Sequence, residues 1–527
     1  MPTSDPSQES TLLDSLKSVP AAVWFGLGAL VLLIAVGGVL LLSNSSSGES
    51  VSFTGSGYPN NDESNTRYVG GPIDSTTVSK LEVAWALPIT GESTFGSYAS
   101  APIVSKGVVY SQDLASNVQA INLDNGEELW TQSYELASHG PNGLVVAGGR
   151  VYGTTSTAAF ALDQKTGEEI WSVTLTRNAQ EGIDIAPGYH KGIVYVSTVP
   201  VNVSEFYGPG GVGILWALDG KTGKKLWKFN TVPESLWDNP DVNSGGGLWY
   251  TPAFDDAGFI YFGVGNAGPF PGTKQFPWGS SRPGPNLYTN SVVKLDAKTG
   301  KMQWYYQQLP HAIYDWDFQG PPILVKARGR ELVLAAGKSG IVLALDGKSG
   351  KPVWERSVGQ HNGHDEDNLY AMRGEYSKLK LPAKVYPGAL GGVIAPMSTD
   401  GSTLFVPVVN SPAIYTTQAE RNEPGPSTGE LVALDVATGA VKWQHDFPTP
   451  AYGAATAVND LVFATTFDGT LDAFDAKSGR IVWQASLPAG TNAGVTVSGD
   501  TLLAPAGVSA TEGQAPQIVA YRLAGGG

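Results

Sequence analysis

Beyond about residue 50 the apolar and polar positions of the chain alternate in short runs, the pattern of half-buried strands, and sustained 3.6-residue periods are scarce. In the run that ends at Asp219, Ile214, Trp216 and Leu218 lie on one side of the alternation. These runs lead into a recurring phrase. ALDQKTGEEIW ends at Trp171, ALDGKTGKKLW at Trp227 and KLDAKTGKMQW at Trp304. ALDGKSGKPVW ends at Trp354, ALDVATGAVKW at Trp443 and AFDAKSGRIVW at Trp483. A shortened copy ends at Trp130 and a worn one at Trp85, which makes eight tryptophans in register. The closest steps between them are 40 and 41 residues, the widest 77 and 89. A period of about 40–45 residues is that of a four-stranded propeller blade. The pattern therefore predicts an all-β, eight-bladed β-propeller over residues 67–527.

Each part of the phrase has a physical role. The residues before Asp form a strand. Asp-x-x-Thr/Ser-Gly is a tight turn in which Asp accepts backbone N–H bonds and Gly supplies a positive φ. The strand then resumes and ends in Trp, an apolar plate with one N–H to satisfy, suited to wedging one blade against the next. The final strand, IVAYRL, is placed to close the ring by pairing the chain ends.

One segment breaks the alternation. Pro20 to Leu42 is 23 residues without a charge, long enough to cross a bilayer. A cleaved signal peptide is the competing reading, but its apolar core is shorter and SNSSSGES holds no A-x-A-like site. The expected order is a short tail at 1–19, a transmembrane anchor at 20–42, a Ser/Gly/Asn-rich flexible linker at 43–66, and the propeller. Lys17 is the only basic residue on the N-terminal flank, and the next on the other side is Arg67. That bias favours a single-pass membrane protein with its propeller extracytoplasmic.

Composition narrows the function. Net charge is −15 with no long basic run, which argues against nucleic acid as a partner. The chain has no cysteine, so disulfides, thiolate catalysis, Cys-ligated zinc, iron–sulfur clusters and a c-type haem attachment are excluded.

The two widest steps hold insertions. Between Trp227 and Trp304 lies a full blade plus a Gly/Pro-rich stretch at about 267–286. Between Trp354 and Trp443 the phrase is missing, which reads as an insertion and not as a ninth blade. It contains HNGHDED, with His361, His364, Asp365, Glu366 and Asp367, permissible metal ligands whose plainer reading is a solvated acidic loop. Function on a propeller sits on such loops and over the central channel.

The repeat, together with GGGxxW, GxGN, RPGxNLY, HxxxxWDF and GKSGxxxALD, resembles the quinoprotein alcohol dehydrogenases over about residues 70–525. The resemblance implies pyrroloquinoline quinone (PQQ) and a calcium or lanthanide ion held over the channel. Noncatalytic relatives, such as the lipoprotein of the outer-membrane assembly machinery, share the repeat. Carried over position by position, Glu205 and Asn266 match metal-binding residues, and a carboxylate with an amide oxygen suits a hard cation. Trp249 matches the tryptophan that stacks on the quinone, Lys338 the cation near its reactive carbonyl, and Asn410 an active-site asparagine.

The sequence also departs from that pattern. Pro285 stands where the family has its catalytic Asp, and proline accepts no proton. Ser138 and His139 replace a cysteine pair, the Arg expected between Asn142 and Gly143 is missing, and Ala99 replaces a Glu. Asp315 and Asp317 are alternative bases, although a structural role in their strand-and-turn element is favoured, and His139 is another spare base. Two classes of function follow. One is a membrane-anchored oxidoreductase acting on a small-molecule substrate and passing electrons to a separate acceptor. The other is a noncatalytic propeller scaffold with a decayed site and a protein partner.

Overall fold

The computed structural model describes residues 56–200, 208–417, 420–422, 425, 427–509 and 512–525. The apolar segment at 20–42 and Glu205 lie outside these residues. Among the described residues no helix is long and apolar enough to cross a membrane.

Among the described residues eight blades, each built on four antiparallel strands, make the ring, and the blade at 456–486 gains Tyr68–Val69 as a fifth, parallel strand. Seven are continuous in sequence, at 103–132, 145–174, 188–230, 253–307, 323–357, 398–447 and 456–486. The eighth is shared between the chain ends. The strands Thr496–Ser498, Thr501–Ala506 and Gln517–Leu523 are completed by Leu81–Pro88, with Leu81 opposite Leu523 and Pro88 opposite Gln517. The final strand thus closes the ring, and no open sheet edge is left at that seam.

The repeated phrase acts between blades. In the turn at Asp346, the carboxylate accepts from the Ser349 N–H at 2.8 Å and its hydroxyl at 2.7 Å. Gly350 follows with φ 71°. Its absent side chain is needed for a second reason: a Cβ there would lie 2.6 Å from the ring of Trp304, the tryptophan of the preceding blade. That indole donates its N–H to the Gly347 carbonyl at 3.2 Å. The same relation recurs between Trp171 and the turn of Gly220 and Gly223, and between Trp443 and the turn of Ala476 and Gly479. Each of these three tryptophans is thus capped and hydrogen-bonded by the turn of the next blade.

Residues 57–69 correct the expected linker boundary. Composition assigns them to a tether as far as 66, yet they run along the inner strands and touch all eight blades. Val104 accepts from the Gly57 N–H, and Gly57 accepts from Val146. The Glu63 carboxylate meets His190 at 3.1 Å, while main-chain carbonyls of Glu63, Ser64, Thr66 and Arg67 accept from Phe254, Leu324, Thr399 and Ala457. Arg67 reaches the Val495 carbonyl of the last blade at 3.1 Å. Ser, Asn and Thr in this stretch are spent on protein hydrogen bonds, so their polarity does not imply solvation.

Both insertions stay outside the repeat. The stretch near 267–286 lies within the fourth blade, between Phe259–Gly263 and Ser291–Asp296. The second carries the short helix Asp367–Met372 and the strand Ala383–Val385, which pairs with Ala413–Thr417 in a small extra sheet. It is not a ninth blade.

Candidate functional site

Three motifs that lie far apart in sequence meet around the segment Asp315–Phe318. Its main chain passes so close to the GVGN and AAGKSG turns that side chains there have no room. A Cβ on Gly263 would lie 2.2 Å from the Phe318 carbonyl, and one on Gly337 would lie 2.2 Å from that of Asp317. The motif glycines therefore mark close backbone approach.

That approach builds a charged cluster. Lys338 Nζ donates to Asp317 at 2.7 Å and to Asp315 at 3.3 Å. The Asn266 backbone N–H donates to Asp317 Oδ1 at 2.8 Å, and its side-chain Nδ2 donates to Asp315 Oδ1 at 3.1 Å. Asn266 and Asp317 are 0% and 1% exposed, and Asp315 is 6% exposed. Burial opposes the charge on Lys338, but the two carboxylates outweigh it and hold its pKa above the ordinary lysine value. Lys338 is thus a lasting ammonium, suited to stabilising developing negative charge and unsuited to accepting a proton. Among the described residues the buried Asn266 Oδ1 atom has no hydrogen-bond partner.

Trp249 stands beside this cluster. A Cβ on Gly265 would lie 3.2 Å from its indole nitrogen and 3.0 Å from Asp317 Oδ1. It is 6% exposed and packs with Val199, Tyr250 and Phe270.

A cavity of about 40 Å³ lies nearby, lined among others by Tyr250, Ala99, Asn142, Asn60 and Arg67, with room for about three waters. Residues next to Trp249 and next to the Ser138–His139 pair thus share one cavity. That pair is pinned by Asp184, whose Oδ1 accepts from Ser138 Oγ at 3.1 Å and from the His139 N–H at 2.8 Å. Burial pushes the Asp184 carboxyl up, with the nearby His139 partly offsetting it. On another wall, Arg67 gives its N–H groups to neutral acceptors: Ala455, Pro59, Asn60, Thr456 and Val495. Burial lowers its pKa to about 10.

The expected site residues separate into groups. Asn266 and Lys338 are brought together, with Trp249 alongside. The Asn410 amide is engaged elsewhere: its Nδ2 donates to Glu430 at 2.6 Å and its Oδ1 accepts from the Gln360 N–H at 2.8 Å. Pro285 is exposed on its loop. Asp317 pairs with Lys338 and accepts from the Asn266 N–H. The HNGHDED loop forms separate pairs, His361 with Asp365 at 2.9 Å and His364 with Asp367 at 2.7 Å. Among the described residues no group of three or more His, Cys, Asp or Glu is placed to hold a metal.

The donor set nevertheless suits a hard cation, since Asn266 carries a buried amide oxygen with no hydrogen-bond partner among the described residues and its amide nitrogen lies against the Asp315 carboxylate. For a flat quinone the plate Trp249 and the ammonium Lys338 are present, while the Arg expected after Asn142 is not. Sequence inspection did not single out Arg67. No periodicity marks it, and only its burial by distant strands reveals it.

Residues 189–368 match the family model described as glucose/ethanol/alcohol dehydrogenase, beta-propeller domain, and residues 114–242 and 384–527 match the one described as outer membrane protein assembly factor BamB. The chain is 28% identical over 467 residues to a quinohemoprotein alcohol dehydrogenase of Comamonas testosteroni, covering 76% of this chain and 64% of that one. It is 28% identical over 424 residues to the dehydrogenase subunit of an alcohol dehydrogenase (quinone) from Gluconacetobacter polyoxogenes, covering 68% and 54%. The chain thus spans less than two thirds of the length of these relatives. In structure it resembles the Comamonas testosteroni quinohemoprotein alcohol dehydrogenase with a TM-score of 0.78 at 23% identity, covering 98% of this chain and 84% of that one. It also resembles a europium-containing methanol dehydrogenase with a TM-score of 0.72 at 19% identity, covering 88% and 97%.

Proposed function

We propose that this chain, which belongs as a divergent member to the quinoprotein alcohol dehydrogenase-like family of eight-bladed β-propellers, is an oxidoreductase that oxidises an alcohol or related substrate with PQQ and a calcium or lanthanide ion. The observation that supports it most is the buried Lys338–Asp317–Asp315–Asn266 cluster beside Trp249.

In this proposal Asn266 and Glu205 hold the cation, and Trp249 with the Ser138–His139 loop holds the cofactor. When bound, PQQ supplies the two-electron acceptor. Lys338 stays protonated and stabilises the negative charge that gathers on the acceptor oxygen. Asp317 keeps that ammonium in place. Asn410, whose amide is held by Gln360 and Glu430, is the remaining candidate contact to the cofactor. Pro285 offers no basic atom, so the hydroxyl proton passes to another group, or the substrate is more acidic than a simple alcohol. With no cysteine to attach a haem, electrons leave to a separate acceptor. Residues 20–42 anchor the chain in a membrane by a single pass, with the propeller extracytoplasmic.

The test is dye-linked oxidation of a panel of primary alcohols by the full chain with PQQ and calcium. Activity should fall on the order of 10²–10³-fold in Lys338→Ala. No dye reduction by a chain that demonstrably binds PQQ would sink the enzymatic reading. A noncatalytic scaffold is then the second reading. It is favoured by Pro285, Ala99 and the missing Arg, and by the match of 114–242 and 384–527 to the assembly-factor model.

A further inference from the structure

We propose that Asp315 is a further carboxylate ligand of the cation at this site, acting with the Asn266 amide oxygen and beside Glu205. The inference rests on the metal-dependent reading above and assigns it a residue.

Its starting point is the unsatisfied Asn266 Oδ1. A buried acceptor without a donor costs about 1–3 kcal/mol, so such an atom calls for an explanation. The other end of the same amide, Nδ2, donates to Asp315 Oδ1 at 3.1 Å. A half-turn of the amide exchanges nitrogen and oxygen with almost no change of shape. It would then set an amide oxygen against a carboxylate oxygen. That arrangement repels, unless a cation lies between them. The observed orientation is the one the pair adopts by itself, and the half-turned one is a two-oxygen seat for a hard ion.

The two carboxylates of the cluster are not equivalent. Asp317 lies 2.7 Å from Lys338 and is also fixed by the Asn266 backbone N–H at 2.8 Å. Asp315 is the looser partner, 3.3 Å from the ammonium. Lys338 therefore keeps an anion when Asp315 turns to a cation. The backbone of Asp315 has φ 61°, in the left-handed region that Asp tolerates better than most residues. It is held there by its neighbour Trp316, whose indole N–H donates to the Pro387 carbonyl at 3.0 Å. Oxygen-only donors in a desolvated setting select a hard cation of the calcium or lanthanide kind over zinc or copper.

Terbium is the probe, because nearby aromatic side chains sensitise its emission. The full chain is titrated with Tb³⁺ and the emission is then displaced with calcium. Wild type should give calcium-displaceable emission. Asp315→Asn, which keeps the shape and removes the charge, should weaken terbium binding on the order of tenfold or more. Asp365→Asn, in the acidic surface loop, should change nothing. Circular dichroism checks folding. If Asp315→Asn does not fold, Asp315→Glu keeps the charge, and its affinity should still shift. Unchanged binding in a folded Asp315→Asn chain, with loss in Asn266→Ala, overturns the role of Asp315 and leaves the metal reading standing. Unchanged binding in both variants overturns the two-oxygen seat altogether. No calcium-displaceable emission from wild type overturns both this inference and the metal half of the proposed function.

Discussion

Lys338 and Asp317 form the closest ion pair of the candidate site, 2.7 Å apart, with the Asp317 side chain 1% exposed. The pair joins a turn of the fifth blade to the segment that precedes it. Asp315 is a second partner for the same ammonium, at 3.3 Å.

The pair should matter for stability more than its neighbour does. Asp317→Asn leaves a buried ammonium with Asp315 as its remaining anion and weakens the bond from the Asn266 N–H. The expected loss is about 2–4 kcal/mol in urea denaturation. Asp315→Asn should cost no more than about half of that. Equal losses would contradict the unequal roles.

The Trp–Gly relation between blades gives a controlled comparison. Gly350 and Gly401 both have positive φ, 71° and 89°. Only at Gly350 would a Cβ meet a neighbour, the Trp304 ring at 2.6 Å, while at Gly401 nothing lies within 4 Å. Gly401→Ala should therefore show backbone strain alone, about 1 kcal/mol, and Gly350→Ala a further cost of about 1–3 kcal/mol. Thermal melts of the two variants decide it. Equal shifts would mean that the glycines serve only the turn.

Arg67 ties the inner segment to the seventh and eighth blades through Ala455, Thr456 and Val495. Arg67→Ala removes those bonds and leaves several buried carbonyls without donors, at a cost of about 3 kcal/mol or more. Lysine has fewer donors and no planar fork, so Arg67→Lys should restore little. Limited proteolysis should find new cleavage at 57–69 in both variants.

The repeat turns predict acid sensitivity. In Asp219, Asp296 and Asp346 the hydroxyl or N–H of the following Thr or Ser holds the carboxyl below its ordinary value of 3.8. A carboxyl lowered on folding stabilises above its unfolded pKa and loses that contribution as pH falls through the folded one. The loss should therefore lie below pH 3.8. These turns face solvent, so each contributes modestly. Melting temperature against pH should fall less steeply in that window for a triple Asp→Asn variant at 219, 296 and 346.

The blades were legible because their repeat obeys local rules. The Asp turn, the positive-φ glycine and the tryptophan are set by neighbours a few residues away, so eight copies announce themselves. The pairing of the final strand with Leu81–Pro88 followed from the need to close a ring. Residues 57–66 resemble a tether in composition because their hydrogen bonds go to separate blades, and no local pattern records that. The site was legible in part. Asn266, Trp249 and Lys338 came from motifs whose glycines are explained by the passage of Asp317 and Phe318. Asp315 stands out in the sequence only as an alternative base, because its partner Asn266 lies 49 residues away and D-W-D alone reads as strand and turn. Asn410 shows another limit: the motif match does not reveal that its amide is bonded to Gln360 and Glu430.

The most direct measurement is calorimetric titration of the full chain with PQQ, with and without calcium. Binding that requires calcium, and that weakens in Asn266→Ala, is the expected result. Absence of PQQ binding under either condition would contradict the oxidoreductase proposal and turn attention to a protein partner of the propeller.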